Sequence, residues 1–365
     1  MHKQVNPLIS DRIQEIRHKY LTQVSDTSHS KIWSSVSEKE DYITVTIVIP
    51  SKGCSWALSD NGGCSVCGYV NDSSRENQIP VTKIEDELRR LIIETKYNKP
   101  LELQIFNSGS FFDKNDVPEE LRKTIIDLIK SSGQIIKLSV ECRPEFILKE
   151  KTTIEGILKR LSEIKLEIGI GLESSNNAIL LDCWNKGTTL EDYESSLKYL
   201  QPIGVEVKSY VFIKPPFLSE QEALRDSIKT VFDAKQMGTD VISINPCNIQ
   251  NGTLIYELFR KDEYQPPWLW TVLHLIKIAN EIAPNIKIIC DPTAAGKERG
   301  AHNCGKCDKI VLKLIEKAVQ REKLPENFSE ICSCYLNWEI LMNTPWESFR
   351  TRKLSKLRKL TPLEE

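Results

Sequence analysis

From residue 43 onward the chain alternates β-branched apolar runs of strand length with stretches of helical periodicity, and no motif restricts the fold as much as that rhythm does. ITVTIVIP (43–50) is a strand by length and composition, and VTKIEDELRRLIIETKY (81–97) spaces its apolar residues as a helix does. The alternation repeats through strand LELQIFN (101–107), a helix over 118–129, strand QIIKLSVEC (134–142), a helix near 154–163 and strand KLEIGIGLE (165–173). A helix over 189–200, strand VEVKSYVFI (205–213), a helix over 219–236 and strand DVISINP (240–246) complete six strands. After a further helix (266–283), IKIICDP (286–292) reads as one more. Most of these runs are apolar rather than strictly alternating, and no hairpin signal joins them. The pattern predicts an α/β architecture of parallel strands, buried on both faces and linked by helical crossovers. A barrel and an open doubly wound sheet both satisfy it.

Ahead of this region, residues 6–21 read as a short amphipathic helix, and the polar stretch TQVSDTSHSKIWSS reads as a linker. The N-terminus has no signal-peptide core and the chain no apolar run of transmembrane length, so a cytoplasmic protein with no membrane partner is expected. A net charge of −2 over 365 residues gives no global attraction for a polyanion, and any nucleic-acid surface has to be local. In that compartment the 11 cysteines should be reduced, and their odd number argues against a disulfide framework. Cys142, Cys183 and Cys247 stand alone in apolar segments and read as small buried hydrophobes.

Three more cysteines lie in GCSWALSDNGGCSVCGY (53–69), directly after the first strand, where loops of parallel α/β proteins gather and carry chemistry. Cys54, Cys64 and Cys67 are too few to close a tetrahedral structural site. Three thiolates suit a [4Fe–4S] cluster whose fourth iron stays open to a substrate. The alternative is a zinc site completed by a distant residue.

A three-cysteine loop after the first strand of a six-unit βα chain resembles the radical S-adenosylmethionine (SAM) superfamily. The nine-residue gap between Cys54 and Cys64 is closer to the subgroup of the elongator catalytic subunit than to the superfamily's commonest spacing. Val66 stands where many members carry an aromatic residue. Later strand ends extend the resemblance. NSGSFFD (107–113), with Ser108, Gly109 and Ser110, is similar to the motif that binds the SAM amino group. VECRPEFI (140–147) is similar to a Glu-x-Arg-Pro segment, in which Glu141 would accept from ribose or an amino group and Arg143 would pair with a carboxylate. GIGLESSNNAILLDCWNKGTT (169–189) resembles the fourth-strand segment, with Glu173 where relatives often have Gln. ISINPCNIQNGT (242–253), with Asn245, resembles the sixth-strand segment whose backbone contacts adenine.

Together with FIKPPFLSE (212–220) and RGAHNCGKCD (299–308), these segments resemble the archaeosine-forming radical SAM family over roughly residues 40–340. The resemblance implies a six-unit βα partial TIM barrel that holds a [4Fe–4S] cluster and SAM. It implies a tRNA substrate whose 7-cyano-7-deazaguanine has received lysine through its side-chain nitrogen. A 5′-deoxyadenosyl radical would take hydrogen from the lysine carbon beside that nitrogen, and cleavage of the carbon–nitrogen bond would leave the formamidine of archaeosine. A lysine-transferring archaeosine synthase subunit and an electron donor would be the partners. Lys214 would be a substrate contact, although a snorkelling surface lysine reads the same way. Two other readings use the same residues: another radical SAM reaction on RNA such as methylthiolation, and a zinc-stabilised tRNA-binding scaffold without activity.

Cys304-x-x-Cys307 and Cys332-x-Cys334 flank a predicted helix over 308–320 and form a four-thiolate set that suits structural zinc. A second iron–sulfur cluster fits the same residues, and Cys290 or His302 could replace one member. The chain then runs into SFRTRKLSKLRKL, where Arg350, Arg352, Lys353, Lys356, Arg358 and Lys359 sit among leucines spaced for one helix face. Either that helix packs on the protein or its cations contact tRNA phosphates. The expected organisation is an N-terminal helix and linker (1–40), a partial barrel (41–295), a cysteine-rich metal-binding cap (296–345) and a basic tail (346–365).

Overall fold

In the computed structural model, which describes residues 5–23, 32–74, 81–345 and 347–360, the strands form one eight-stranded sheet in sequence order. β1 (Trp33–Glu38) pairs antiparallel with β2 (Ile43–Val48). β3 (Leu101–Phe106), β4 (Ile135–Glu141), β5 (Lys165–Glu173), β6 (Glu206–Ile213), β7 (Val241–Pro246) and β8 (Lys287–Ile289) follow in parallel. The six strands expected first are β2–β7, and IKIICDP supplies β8. β1 falls inside the stretch read as a linker. WSSVSE carries too little apolar surface to announce a strand, and backbone pairing with β2 holds it rather than burial. Residues 24–31 of that stretch lie outside the described residues.

The strands alternate more strictly than their composition suggests. Val45 and Ile47 (β2), Leu103 and Ile105 (β3), Leu138 and Val140 (β4), Ile168 and Ile170 (β5), Val207 and Val211 (β6), and Ile242 and Ile244 (β7) are buried in one apolar cluster with the crossover helices. The intervening positions carry Thr46, Gln104, Ser139, Glu167, Lys208, Tyr210, Ser243 and Asn245. The register lines up Thr46, Gln104, Ser139 and Glu167 across four strands. Successive side chains point to opposite faces, so one face is apolar and the other polar. Both faces are buried, as the pattern predicts, but the second is lined by polar side chains such as Ser139, Glu167, Lys208 and Ser243 rather than by apolar ones. The polar lining decides between the two architectures: a doubly wound sheet needs apolar cover on both sides. With strands in sequence order and crossovers of one hand, the helices fall on the apolar face and the sheet curls around the polar one, as an incomplete barrel.

Three appended segments complete the structure. Helix Pro7–Gln23 buries Ile9, Ile13 and Ile16 in a second apolar cluster with Trp56, Cys64, Val66 and Trp184. Helices Asp308–Val319 and Cys334–Asn343 join the main cluster through Val311, Leu314, Ile315 and Trp338. The basic segment forms helix Phe349–Lys359, and the protein itself supplies partners for Arg350, Arg352, Lys353, Lys356 and Lys359. Arg352 pairs with Glu222, Lys353 Nζ lies 2.8 Å from Asp182, and Lys359 Nζ lies 2.6 Å from Glu263. Lys356 donates to the Glu263 carbonyl, and Arg350 stands 3.9 Å from Asp182. The side chain of Arg358 lies outside the described residues. No helix among the described residues is long and apolar enough to cross a membrane.

Candidate active site

At the C-terminal ends of the strands, Cys54, Cys64 and Cys67 share one cavity of about 350 Å³ with Ser108, Gly109, Glu141, Arg143, Glu173 and Asn245. That volume is in the range of small-molecule sites. The loop between β2 and the next helix reaches this position because its neighbours stitch it down. The left-handed Asn185, in the turn after β5, donates from Nδ2 to the Asn61 and Gly63 carbonyls at 2.8 and 2.9 Å, and Trp56 Nε1 donates to the Asn185 carbonyl at 2.8 Å. Ser65 Oγ donates to the Cys183 carbonyl at 2.6 Å. From the loop after β3, the buried Asp116 accepts from the Gly53 amide at 2.9 Å and from Asn107 Nδ2 at 2.6 Å. Gly109 is needed for close approach: a Cβ there would lie 2.5 Å from Asp116 Oδ2 and 2.7 Å from Cys54 Cα.

The walls of the cavity are charged. Arg143 donates from Nε to Glu145 at 2.7 Å and from Nη2 to the Lys186 carbonyl at 2.6 Å, and its Nη1 lies 3.9 Å from Cys64 Sγ. Burial works to lower its pKa, but Glu145, Cys54 and Cys64 outweigh burial and raise it. Lys186 Nζ lies 2.7 Å from Glu173, which likewise overcomes burial and raises the lysine. Glu141 accepts from the Tyr210 hydroxyl at 2.5 Å, and burial raises its carboxyl. Lys186, Tyr69, Trp184, Tyr210 and Gln250 all line the cavity and were not singled out from the sequence. For Lys186 a signal existed, since it lies within the segment 169–189 that resembles the family's fourth-strand segment. The others declare themselves only through register and chain crossing.

The loop thiols suit a metal centre. Burial, then Cys64, pushes Cys67 up to about 12, and burial raises Cys54 against the pull of Arg143. Thiols held so high keep their protons unless a metal displaces them. Arg143 and Arg17 supply cations beside them, which favours an anionic metal–thiolate group. Among the described residues, the sulfurs that lie within 4.8 Å of one another are those of Cys304, Cys307, Cys332 and Cys334. Cys54, Cys64 and Cys67 are not among the groups drawn together in that way.

Two expected members stand outside the cavity lining. Ser110 is buried behind it, its Oγ accepting from the Arg143 amide at 3.0 Å. Lys214 lines a separate cavity of about 210 Å³, is paired with the buried Glu220 at 2.6 Å and adopts a left-handed backbone. Its burial also removes the snorkelling alternative. Of the isolated cysteines, Cys142 reaches the cavity lining, whereas Cys183 and Cys247 are buried in the second apolar cluster.

In the C-terminal cysteine group, Cys304 and Cys307 lie 3.9 Å apart, Cys304 and Cys332 3.6 Å, and Cys307 and Cys334 3.5 Å. A tetrahedron with metal–sulfur bonds of about 2.3 Å has edges of about 3.8 Å, so one ion fits. Trp270 Nε1 donates to Cys334 Sγ at 3.3 Å and Asn303 Nδ2 to Cys307 Sγ at 3.4 Å, the outer contacts that thiolate ligands call for. Cys290 and His302 lie outside this group, and His302 Nδ1 is 2.8 Å from the Gly300 carbonyl.

No protein-family model matches the chain. The archaeosine synthase subunit beta of Methanosarcina acetivorans is 33% identical over 299 residues, 81% of this chain and 84% of that protein. The archaeosine synthase subunit beta of Thermococcus kodakarensis is 30% identical over 302 residues, 81% of this chain and 90% of that protein. Among solved structures, the Elp3 protein of Methanocaldococcus infernus with an N-terminal deletion aligns over 75% of this chain and 63% of that chain. Its TM-score is 0.47 and its identity 17%.

Proposed function

We propose that this chain, which belongs to the archaeosine synthase subunit beta family, is the radical SAM lyase of tRNA archaeosine formation. The observation that carries this reading is the convergence of three cysteines, two buried cations and the carboxylates Glu141 and Glu173 on one cavity. Cys54, Cys64 and Cys67 would hold a [4Fe–4S] cluster, which together with SAM would supply one-electron reduction and a carbon-centred hydrogen abstractor. Arg143 and Lys186 are the cations suited to the SAM carboxylate. Ser108, Gly109 and Glu141 suit its amino group and ribose, with Tyr210 fixing the orientation of Glu141. Asn245 suits the adenine, and Glu173, held by Lys186, closes the wall. Trp184 and Phe212, packed edge to face at 4.6 Å, help keep water from the reacting carbon. The substrate is tRNA carrying lysine on 7-cyano-7-deazaguanine, supplied by a lysine-transferring partner subunit. Cleavage of the lysine carbon–nitrogen bond would leave the nitrogen on the base and release the carbon chain of lysine, and an electron donor would be needed to reduce the cluster. We also propose that Cys304, Cys307, Cys332 and Cys334 hold structural zinc, because their spacing suits one ion and leaves no room for a four-iron cube.

The test is mass spectrometry of nucleosides from lysine-modified tRNA incubated with anaerobically reconstituted, reduced protein and SAM. Archaeosine should form, and Cys64→Ala should abolish both archaeosine and SAM cleavage. SAM cleavage with a methylthiolated or unchanged nucleoside would refute the lyase reading. A protein that takes up no cluster would refute the radical SAM reading altogether.

A further inference from the structure

Helix Pro7–Gln23 belongs to neither sheet nor crossover, yet one of its faces closes over the cysteine loop. Ser10 Oγ donates to the Asn61 carbonyl at 3.2 Å, and a Cβ on Gly62 would stand 2.8 Å from the Gln14 amide. From this face comes Arg17, only 3% exposed. Its Nη2 donates to the Cys67 carbonyl at 2.9 Å and lies 3.4 Å from the Cys64 carbonyl. Its Nε and Nη1 are buried with no hydrogen-bond partner in the protein. A desolvated guanidinium with idle donors is costly unless an anion offsets its charge.

Resting on the proposed cluster at these cysteines, we infer that Arg17 is a positioning residue for it. Nη2 fixes the Cys64–Cys67 turn through its two carbonyls, while the remaining N–H groups and the fixed positive charge serve the anionic cluster. Charge and hydrogen bonding around sulfur set iron–sulfur potentials. A cation here favours the reduced, more negative state, so Arg17 makes the cluster easier to reduce. The N-terminal helix is thereby part of the redox site rather than an accessory to the fold.

The experiment compares reconstituted full-length wild type with Arg17→Met, Arg17→Gln and Arg17→Lys. Iron and sulfide content, melting temperature and the midpoint potential from an EPR-monitored redox titration are read without SAM turnover. The neutral variants should be about tenfold harder to reduce, a shift of ~60 mV to more negative potential for one electron. Alternatively they should lose iron at unchanged melting temperature while Arg17→Lys retains it. Four irons at wild-type potential in both neutral variants would overturn the inference, and so would iron loss that lysine does not restore, which marks a packing role. Each of these failures is seen with the wild type loaded. A wild type that takes up no iron refutes the cluster reading and this inference with it.

Discussion

Lys353 on helix Phe349–Lys359 is 6% exposed, and its Nζ lies 2.8 Å from Asp182 Oδ1. Asn6 Nδ2 donates to that same oxygen at 2.6 Å. One carboxylate thus joins the N-terminal helix, the C-terminal helix and the turn after β5, and this turn runs directly into Trp184 and Lys186 on the cavity wall. Lys353→Met keeps the aliphatic stem and leaves Asp182 with an amide donor and the distant Arg350. Removing one member of a buried pair costs about 3–5 kcal/mol. The surviving partners place this change at the lower end, about 3 kcal/mol. Lys359→Met is the comparison, because a lysine 59% exposed on the rim contributes less than about 1 kcal/mol. Asp182→Asn with Lys353→Met relieves the stranded charge, so the double variant should cost less than the sum of its parts by at least about 1 kcal/mol.

Urea unfolding followed by circular dichroism, at matched slopes, gives these values. A Lys353→Met cost below about 0.5 kcal/mol, or an additive cycle, would refute the argument that the pair locks the helix. The same variants test the tail against tRNA. Each phosphate that a cation ceases to neutralise lowers the slope of log affinity against log salt by about one. Cations already committed to Asp182, Glu222 and Glu263 should leave that slope unchanged.

Cys334→Ser should lose the metal of the C-terminal group and lower the melting temperature, since metal binding there contributes to folding. Metal analysis of purified wild type should give one zinc per chain, and full retention of the metal by the variant would exclude Cys334 as a ligand. His274 is packed among Phe328, Tyr335 and Trp338, and burial pushes its pKa down to about 4. The unfolded imidazole protonates near 6.5, so between pH 6.5 and 4 the unfolded state binds more protons and stability falls as pH falls, by up to about 3 kcal/mol. His274→Phe should abolish that slope, and a wild-type-minus-variant difference that is flat from pH 7 to 4.5 would exclude the mechanism.

What the sequence disclosed follows from how local each signal is. Strands β2–β7 and their crossovers were legible because each carries its own periodicity, and LELQIF needs no partner to read as a strand. β1 was not, because WSSVSE owes its conformation to a neighbour. The three loop cysteines and the strand-end residues Glu141, Arg143 and Glu173 were visible as motifs. Arg17 was not, because nothing in an amphipathic helix says which of its arginines will be buried against a turn 47 to 50 residues away. The basic tail stayed ambiguous for a related reason. Six cations in thirteen residues suit either a packed helix or a polyanion, and the acidic partners of Arg352, Lys353 and Lys359, at 222, 182 and 263, are distant in sequence and near only in the fold.

The polar face of the sheet bears on the chemistry as well as on the fold. Below the cavity, Glu167 is 4% exposed and lies 2.7 Å from Lys137, 2.6 Å from Lys208 and 2.7 Å from Ser139 Oγ. Burial opposes its ionisation, but Lys208 and Lys137 prevail and hold the carboxyl at about 2. Buried ion networks are rarely more stabilising than the apolar packing that could replace them, so stability does not explain this one. What it does is cross-link β4, β5 and β6 on the face an apolar plug would otherwise fill. Glu141 and Tyr210 lie on that same face and further along the strands, and Lys208 lowers the pKa of Glu141 against the effect of burial. A charged floor therefore fixes strand spacing and acts on the ionisation of a carboxylate in the cavity above it. An apolar floor could supply the first effect, but not the second.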